Sequence, residues 1–64
     1  MERVNGLGAL KLLFAGEILE GGERYYKYVA EANEIQYSDD QKQWETSDIT
    51  INQFLDWDSW NLIK

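Results

Sequence analysis

The stretch EILEGGERYYKYV, residues 17–29, decides how this chain folds. Glu17–Glu20 reads as a short strand with Ile18 as its inward residue. The pair Gly21-Gly22 then supplies the positive φ angles that a two-residue hairpin turn requires. Glu23–Val29 returns as a strand in which Tyr25, Lys27 and Val29 alternate with Arg24, Tyr26 and Tyr28, so one set faces the core and the other solvent or a partner. Both sets contain tyrosine, which places an aromatic on each face of the strand.

Working outward from this hairpin, the N-terminal side reads as a helix. Asn5 caps it, and Leu7, Leu10, Leu13 and Phe14 recur at the spacing of an amphipathic stripe, which predicts these four as its core-facing residues. Gly16 stands where a left-handed C-terminal residue belongs. On the C-terminal side, Ala30–Asn33 is a turn and Glu34–Ser38 is a strand with Ile35 and Tyr37 on one side. Ser38-Asp39-Asp40-Gln41 has the side chains that bond their own backbone in turns. Lys42–Glu45, centred on Trp44, completes a second hairpin. Ile49 and Ile51 alternate with Thr50 in an extended pattern. Asn52 is placed to cap a short helical turn carrying Phe54, Leu55 and Trp57, and Trp60–Ile63 is a closing strand. The expected class is α+β, a single domain over residues 1–64: an N-terminal helix packed on a small antiparallel meander sheet, with a short helical turn before the C-terminal strand.

Sixty-four residues give a thin core, because surface outruns volume in small chains. With no cysteine there is no disulfide, and with no histidine the commonest metal ligand and near-neutral base are missing. Stability then rests on nine aromatics or on self-association, and a homo-oligomer is expected on that ground. No apolar run approaches the ~18 residues of a spanning helix. Leu7–Ala15 is interrupted by Lys11 and lacks a small-residue cleavage site, so it does not read as a signal-peptide core. The expectation is a cytoplasmic protein with no membrane partner.

The net charge is −6 and uneven. Residues 31–58 hold eight acids against Lys42 alone and carry −7, leaving +1 for the rest of the chain. That balance excludes direct nucleic-acid binding, which needs Lys and Arg to neutralise phosphates. It suits a basic protein surface instead.

Catalysis is not expected. Gly6-Leu7-Gly8 follows no strand and lacks the third glycine of a dinucleotide fingerprint. Asp39-Asp40 and Asp56-x-Asp58 do not continue into a calcium loop. The serines have no histidine to activate them. No cofactor and no metal are implied. Two surfaces remain. Arg24, Tyr26, Lys27 and Tyr28 interleave cations with flat rings and suit a nucleotide-like small molecule. Asp39, Asp40, Glu45 and Asp48, with Trp57 as an exposed anchor, suit a protein interface.

Ala9-Leu10-Lys11 with Gly16 five residues on, the tyrosine-rich strand, and the close Leu55-x-x-Asp58-x-Trp60-x-x-Ile63 together resemble small phage and prophage proteins. That group includes the anti-Thoeris sponge family of the second type. The resemblance implies a cytoplasmic, phage-encoded counter-defence protein that forms oligomers and sequesters a cyclic nucleotide signal in the oligomer interface. The present chain is shorter and lacks the long insertion between the middle strands. Where that family has Arg-x-x-Trp, it has Glu23-Arg24-Tyr25-Tyr26. The alternatives are an acidic inhibitor docking on the basic, nucleic-acid-binding surface of a host defence enzyme such as a CRISPR nuclease, and a phage accessory or structural protein.

Overall fold

The computed structural model describes residues 2–63. The element order is β1 (Glu2–Val4), α1 (Gly6–Phe14), β2 (Ile18–Gly21), β3 (Arg24–Val29), β4 (Glu34–Ser38), β5 (Glu45–Thr46), α2 (Ile51–Asp56) and β6 (Trp60–Ile63). The strands form one antiparallel sheet in the order β1-β6-β2-β3-β4-β5. Strands β2 to β5 are a meander. β6 returns from α2 to lie between β1 and β2, so both chain ends close the same side of the sheet. The architecture is the expected α+β class, with β1 as an edge strand that three residues without clear alternation did not announce. No helix among the described residues is long and apolar enough to cross a membrane.

The first hairpin forms one residue later than the sequence suggests. Gly21 is still in β2, paired with Arg24, and the turn residues with positive φ are Gly22 (+60°) and Glu23 (+66°). Gly21 is glycine for a different reason: a Cβ there would lie 2.5 Å from the Trp60 ring. The turn at 30–33 and the strand Glu34–Ser38 stand as read. The expected strand Lys42–Glu45 shrinks to Glu45–Thr46, because Ser38 and Asp40 bind the backbone of residues 40–43 into a loop.

Register divides the sheet cleanly. Leu62, Leu19, Tyr26 and Tyr37 form one cross-strand row, and Tyr28 opposite Ile35 lies on the same face. Both helices cover that face. Leu19, not Ile18, is the inward residue of β2: it is fully buried, while Ile18 is paired with Ile63 on the opposite face. That opposite face also carries Tyr25, Lys27, Val29 and Gln36, all half-buried. The alternation of β3 is therefore resolved with Arg24, Tyr26 and Tyr28 on the helix side.

The core is Ala9, Leu13, Leu19, Phe54, Trp60 and Leu62. Phe54 stacks on Trp60 with centroids 4.0 Å apart, and Tyr26 meets both rings edge-on. The Trp60 indole N–H donates to the Phe54 carbonyl at 3.0 Å, so the largest core side chain buries no unpaired polar atom. Full burial of a Leu or Phe side chain contributes about 1.5–3 kcal/mol, so these few residues carry most of the fold.

Helix α1 is capped as its sequence indicates. The Asn5 side chain accepts from Gly8 N at 2.8 Å, and Gly16 has φ +98° just past the C-cap. Its inward face is displaced from the apolar stripe, however. Gly6, Ala9 and Leu13 are buried, whereas Leu7 is 56% and Phe14 48% exposed. The cause is α2, which lies so close to the first turn that a Cβ on Gly6 would come 2.4 Å from the Leu55 carbonyl oxygen. Small residues mark that contact; of the expected stripe, Leu13 is buried and Leu10 packs against the core, while Leu7 and Phe14 are turned outward. Helix α2 is capped by Thr50, not Asn52, in a reciprocal capping box with Gln53. It places Phe54 in the core and leaves Ile51 half-exposed.

Candidate functional site

The β4–β5 connection presents the acidic segment, and its geometry follows from Ser38. This buried hydroxyl accepts from Asp40 N (3.2 Å) and Gln41 N (2.9 Å) and donates to the Asp40 carboxylate (3.0 Å). Asp40 Oδ1 in turn accepts from Lys42 N (2.9 Å) and Gln43 N (3.2 Å). These backbone donors, led by Lys42 N, hold the Asp40 carboxyl below the usual carboxylate value. Gln41 has φ +63°, as so tight a loop demands. Tyr37 donates from its hydroxyl to Glu45 at 3.1 Å, and that bond, with the Glu45 charge behind it, pushes the phenol up from 10.0. A shallow cavity of about 170 Å³ lies between Tyr37, Ser38, Asp39, Asp40, Gln43 and Glu45. Its three carboxylates give it the wrong sign for a phosphate.

The cations proposed for a small-molecule site are separated and occupied. Arg24 pairs with Asp39 (3.7 Å) and lies 4.8 Å from the Tyr37 ring centroid. Lys27 is on the opposite face of the sheet, 4.3 Å over Trp44. Tyr28 donates to Asn33 and meets Phe14 edge-on, and Tyr26 belongs to the rim of the core. The structure brings Arg24, Tyr26 and Tyr28 to one face and sends Lys27 to the other. Of the interface residues, Asp39 and Asp40 in the β4–β5 loop and Glu45 at the start of β5 line one cavity. Asp48 lies beyond β5 and precedes Ile49, and Trp57 projects from the end of α2, 48% exposed.

Two further concavities were not visible in the sequence. A groove of about 340 Å³ runs between Phe14, Tyr28, Asn33, Glu34, Ile35, Ser47, Ile49 and Ile51. A notch of about 180 Å³ is lined by Gly21, Gly22, Tyr26, Ile49, Gln53, Trp57 and Trp60. Neither follows from periodicity, because each joins residues from three or more elements. The glycine pair and the spacing Trp57-x-x-Trp60 were the only local signals of the second. Comparison of the chain with family models, curated proteins and solved structures finds no match.

Proposed function

We propose that this chain is a non-catalytic protein-binding domain whose acidic side docks on a basic, nucleic-acid-binding surface of a host defence enzyme. This is the role of a phage-encoded counter-defence inhibitor acting in the bacterial cytoplasm. One observation carries the reading: Arg24–Asp39 is the only ion pair among the described residues, so Asp40, Glu45, Asp48, Asp56 and Asp58 have no cationic partner there. These charges cost self-repulsion within a small fold and are offset once they face a basic surface. The backbone hydrogen bonds around Asp40 hold part of the array in place before binding, which lowers the ordering cost of association. Sequestration of a nucleotide signal, the reading the family resemblance favours, needs cations converging on one pocket. Arg24 and Lys27 face opposite sides of the sheet and are each engaged, so the inhibitor reading has the stronger geometric support.

The test is capture from a bacterial lysate on the immobilised chain, with bound proteins and small molecules both read by mass spectrometry. The expected result is retention of nucleic-acid-binding proteins that elute with salt, are displaced by added DNA, and are lost in the Asp39→Asn, Asp40→Asn, Glu45→Gln, Asp48→Asn variant. Retention of a nucleotide with no protein, or protein capture indifferent to those substitutions, overturns it.

A further inference from the structure

Beyond the acidic loop, the notch beside α2 has a chemistry of its own. Three aromatic rings line it, Tyr26, Trp57 and Trp60, with the backbone of Gly21 and Gly22 as its floor. Trp60 is 2% exposed, stacked on Phe54, and its only polar side-chain atom is committed to the Phe54 carbonyl, so it closes the notch as a buried apolar wall. Gln53 is committed in part to the capping box, its side-chain oxygen accepting from Thr50 N. Trp57 is the exposed wall, and its immediate neighbours in the chain are Asp56 and Asp58, both exposed. The last turn of α2 contains no basic residue. Arg24, two residues before Tyr26 on the same face, is turned over Tyr37 and held by Asp39.

Aromatic faces attract cations through the ring quadrupole, most strongly for Trp, and the exposed acids on either side of Trp57 in the chain add a longer-range attraction. We infer that this notch is a cation-binding subsite that takes one Arg or Lys side chain of a protein partner. The apolar stem lies against Tyr26 and Ile49, both half-buried, and the charged head sits over Trp57. The inference rests on the protein-binding reading and names the contact that such a partner's basic surface makes outside the acidic loop. It assigns Trp57 the role of anchor, and it assigns Asp56 and Asp58 the role of selecting charge. Gly21 is essential to the shape, because any side chain there collides with Trp60.

The experiment is an NMR titration of the full chain, following the backbone amides of Gly21 and Gly22, which remain readable in every variant, together with the indole N–H of Trp57, assigned by its loss in Trp57→Phe. The probes are N-acetyl-arginine amide and N-acetyl-lysine amide, with the neutral N-acetyl-citrulline amide as the arginine isostere and N-acetyl-norleucine amide as the lysine stem without its ammonium. The expected result is a saturable shift with the two cations, and one at least about ten-fold weaker with the neutral pair, the charge being worth roughly 1 kcal/mol or more at such a site. Trp57→Leu abolishes the response while circular dichroism stays native. Asp56→Asn with Asp58→Asn, which leaves the rings intact, weakens it roughly two- to five-fold, as expected of exposed charges in water. Equal shifts with citrulline or norleucine overturn the inference, as does a response that survives Trp57→Leu or no response up to the solubility of the probes. Lysate proteins captured while the notch ignores cations would refute this subsite and leave the protein-binding reading standing. Cation binding with no protein captured would do the reverse.

Discussion

Replacing Gly6 by alanine gives the sharpest test of the packing of α2 on α1. Helix propensity alone favours the change, since alanine is better than glycine by about 0.8–1 kcal/mol inside a helix. The structure reverses the sign. A Cβ at Gly6 would stand 2.4 Å from the Leu55 carbonyl oxygen and 2.8 Å from its Cα, both backbone atoms that no rotamer change can move. Relief requires α2 to shift away from α1, and with backbone atoms on the far side the cost falls in the upper part of the overpacking range, about 2–3 kcal/mol. Setting the propensity gain against this leaves a net loss of about 1–2 kcal/mol, a large share of the roughly 3–10 kcal/mol expected for a chain of this size. At about 4–8 °C per kcal/mol, the melting temperature falls by roughly 4–16 °C. Gly8→Ala is the control. Its Cβ meets two side-chain atoms that can give way, the Asn5 oxygen at 3.2 Å and Val4 Cβ at 3.7 Å, so the propensity gain is only partly offset and the change is neutral or stabilising by up to about 1 kcal/mol. Urea unfolding followed by tryptophan fluorescence measures both. A Gly6→Ala protein as stable as the parent, or less damaged than Gly8→Ala, would refute the close approach of the two helices.

Phe54→Ala removes the stacked partner of Trp60 and is expected to cost about 3–5 kcal/mol, leaving the chain largely unfolded by circular dichroism. Ser38→Ala deprives Asp40 N and Gln41 N of their acceptor and should lower stability by about 1–3 kcal/mol in urea titration. Asp40 has a folded value below its ordinary 3.8, so its contribution is complete above that pH and is lost as pH falls through the lowered value. Asp40→Asn should therefore flatten the acid limb of a plot of unfolding midpoint against pH. Tyr37 is shifted the other way, so its contribution is complete below pH 10.0 and fades as pH rises through the raised value. Tyr37→Phe should abolish that alkaline loss, and phenolate absorbance should show Tyr37 titrating late.

Residues with local causes were legible in the sequence. Asn5 and Gly16 bound α1 by capping chemistry, Ser38 and the two aspartates after it make a turn, and Trp60–Ile63 forms the last strand as its alternation indicates. The residues that did not follow local pattern were set by neighbours distant in sequence. Ile18 lost the inward position to Leu19 because β6 pairs β2 with Leu62 opposite Leu19. Leu7 lost its place because α2 occupies the Gly6 side of the first turn of α1, and Phe14, at the other end, rests edge-on against Tyr28. The candidate site divides the same way. The acids at 39, 40 and 45 are near one another in the chain and were found together. The notch takes walls from a hairpin turn, a helix end and the last strand, and only the fold assembles it.

The most direct test of the protein-binding account is the rate at which the captured partner associates, followed by stopped-flow fluorescence over a range of salt concentration. The account predicts a rate that falls steeply as salt rises, and a slower, flatter dependence when Asp39, Asp40, Glu45 and Asp48 are neutralised together. An association rate indifferent both to salt and to those four substitutions would contradict it.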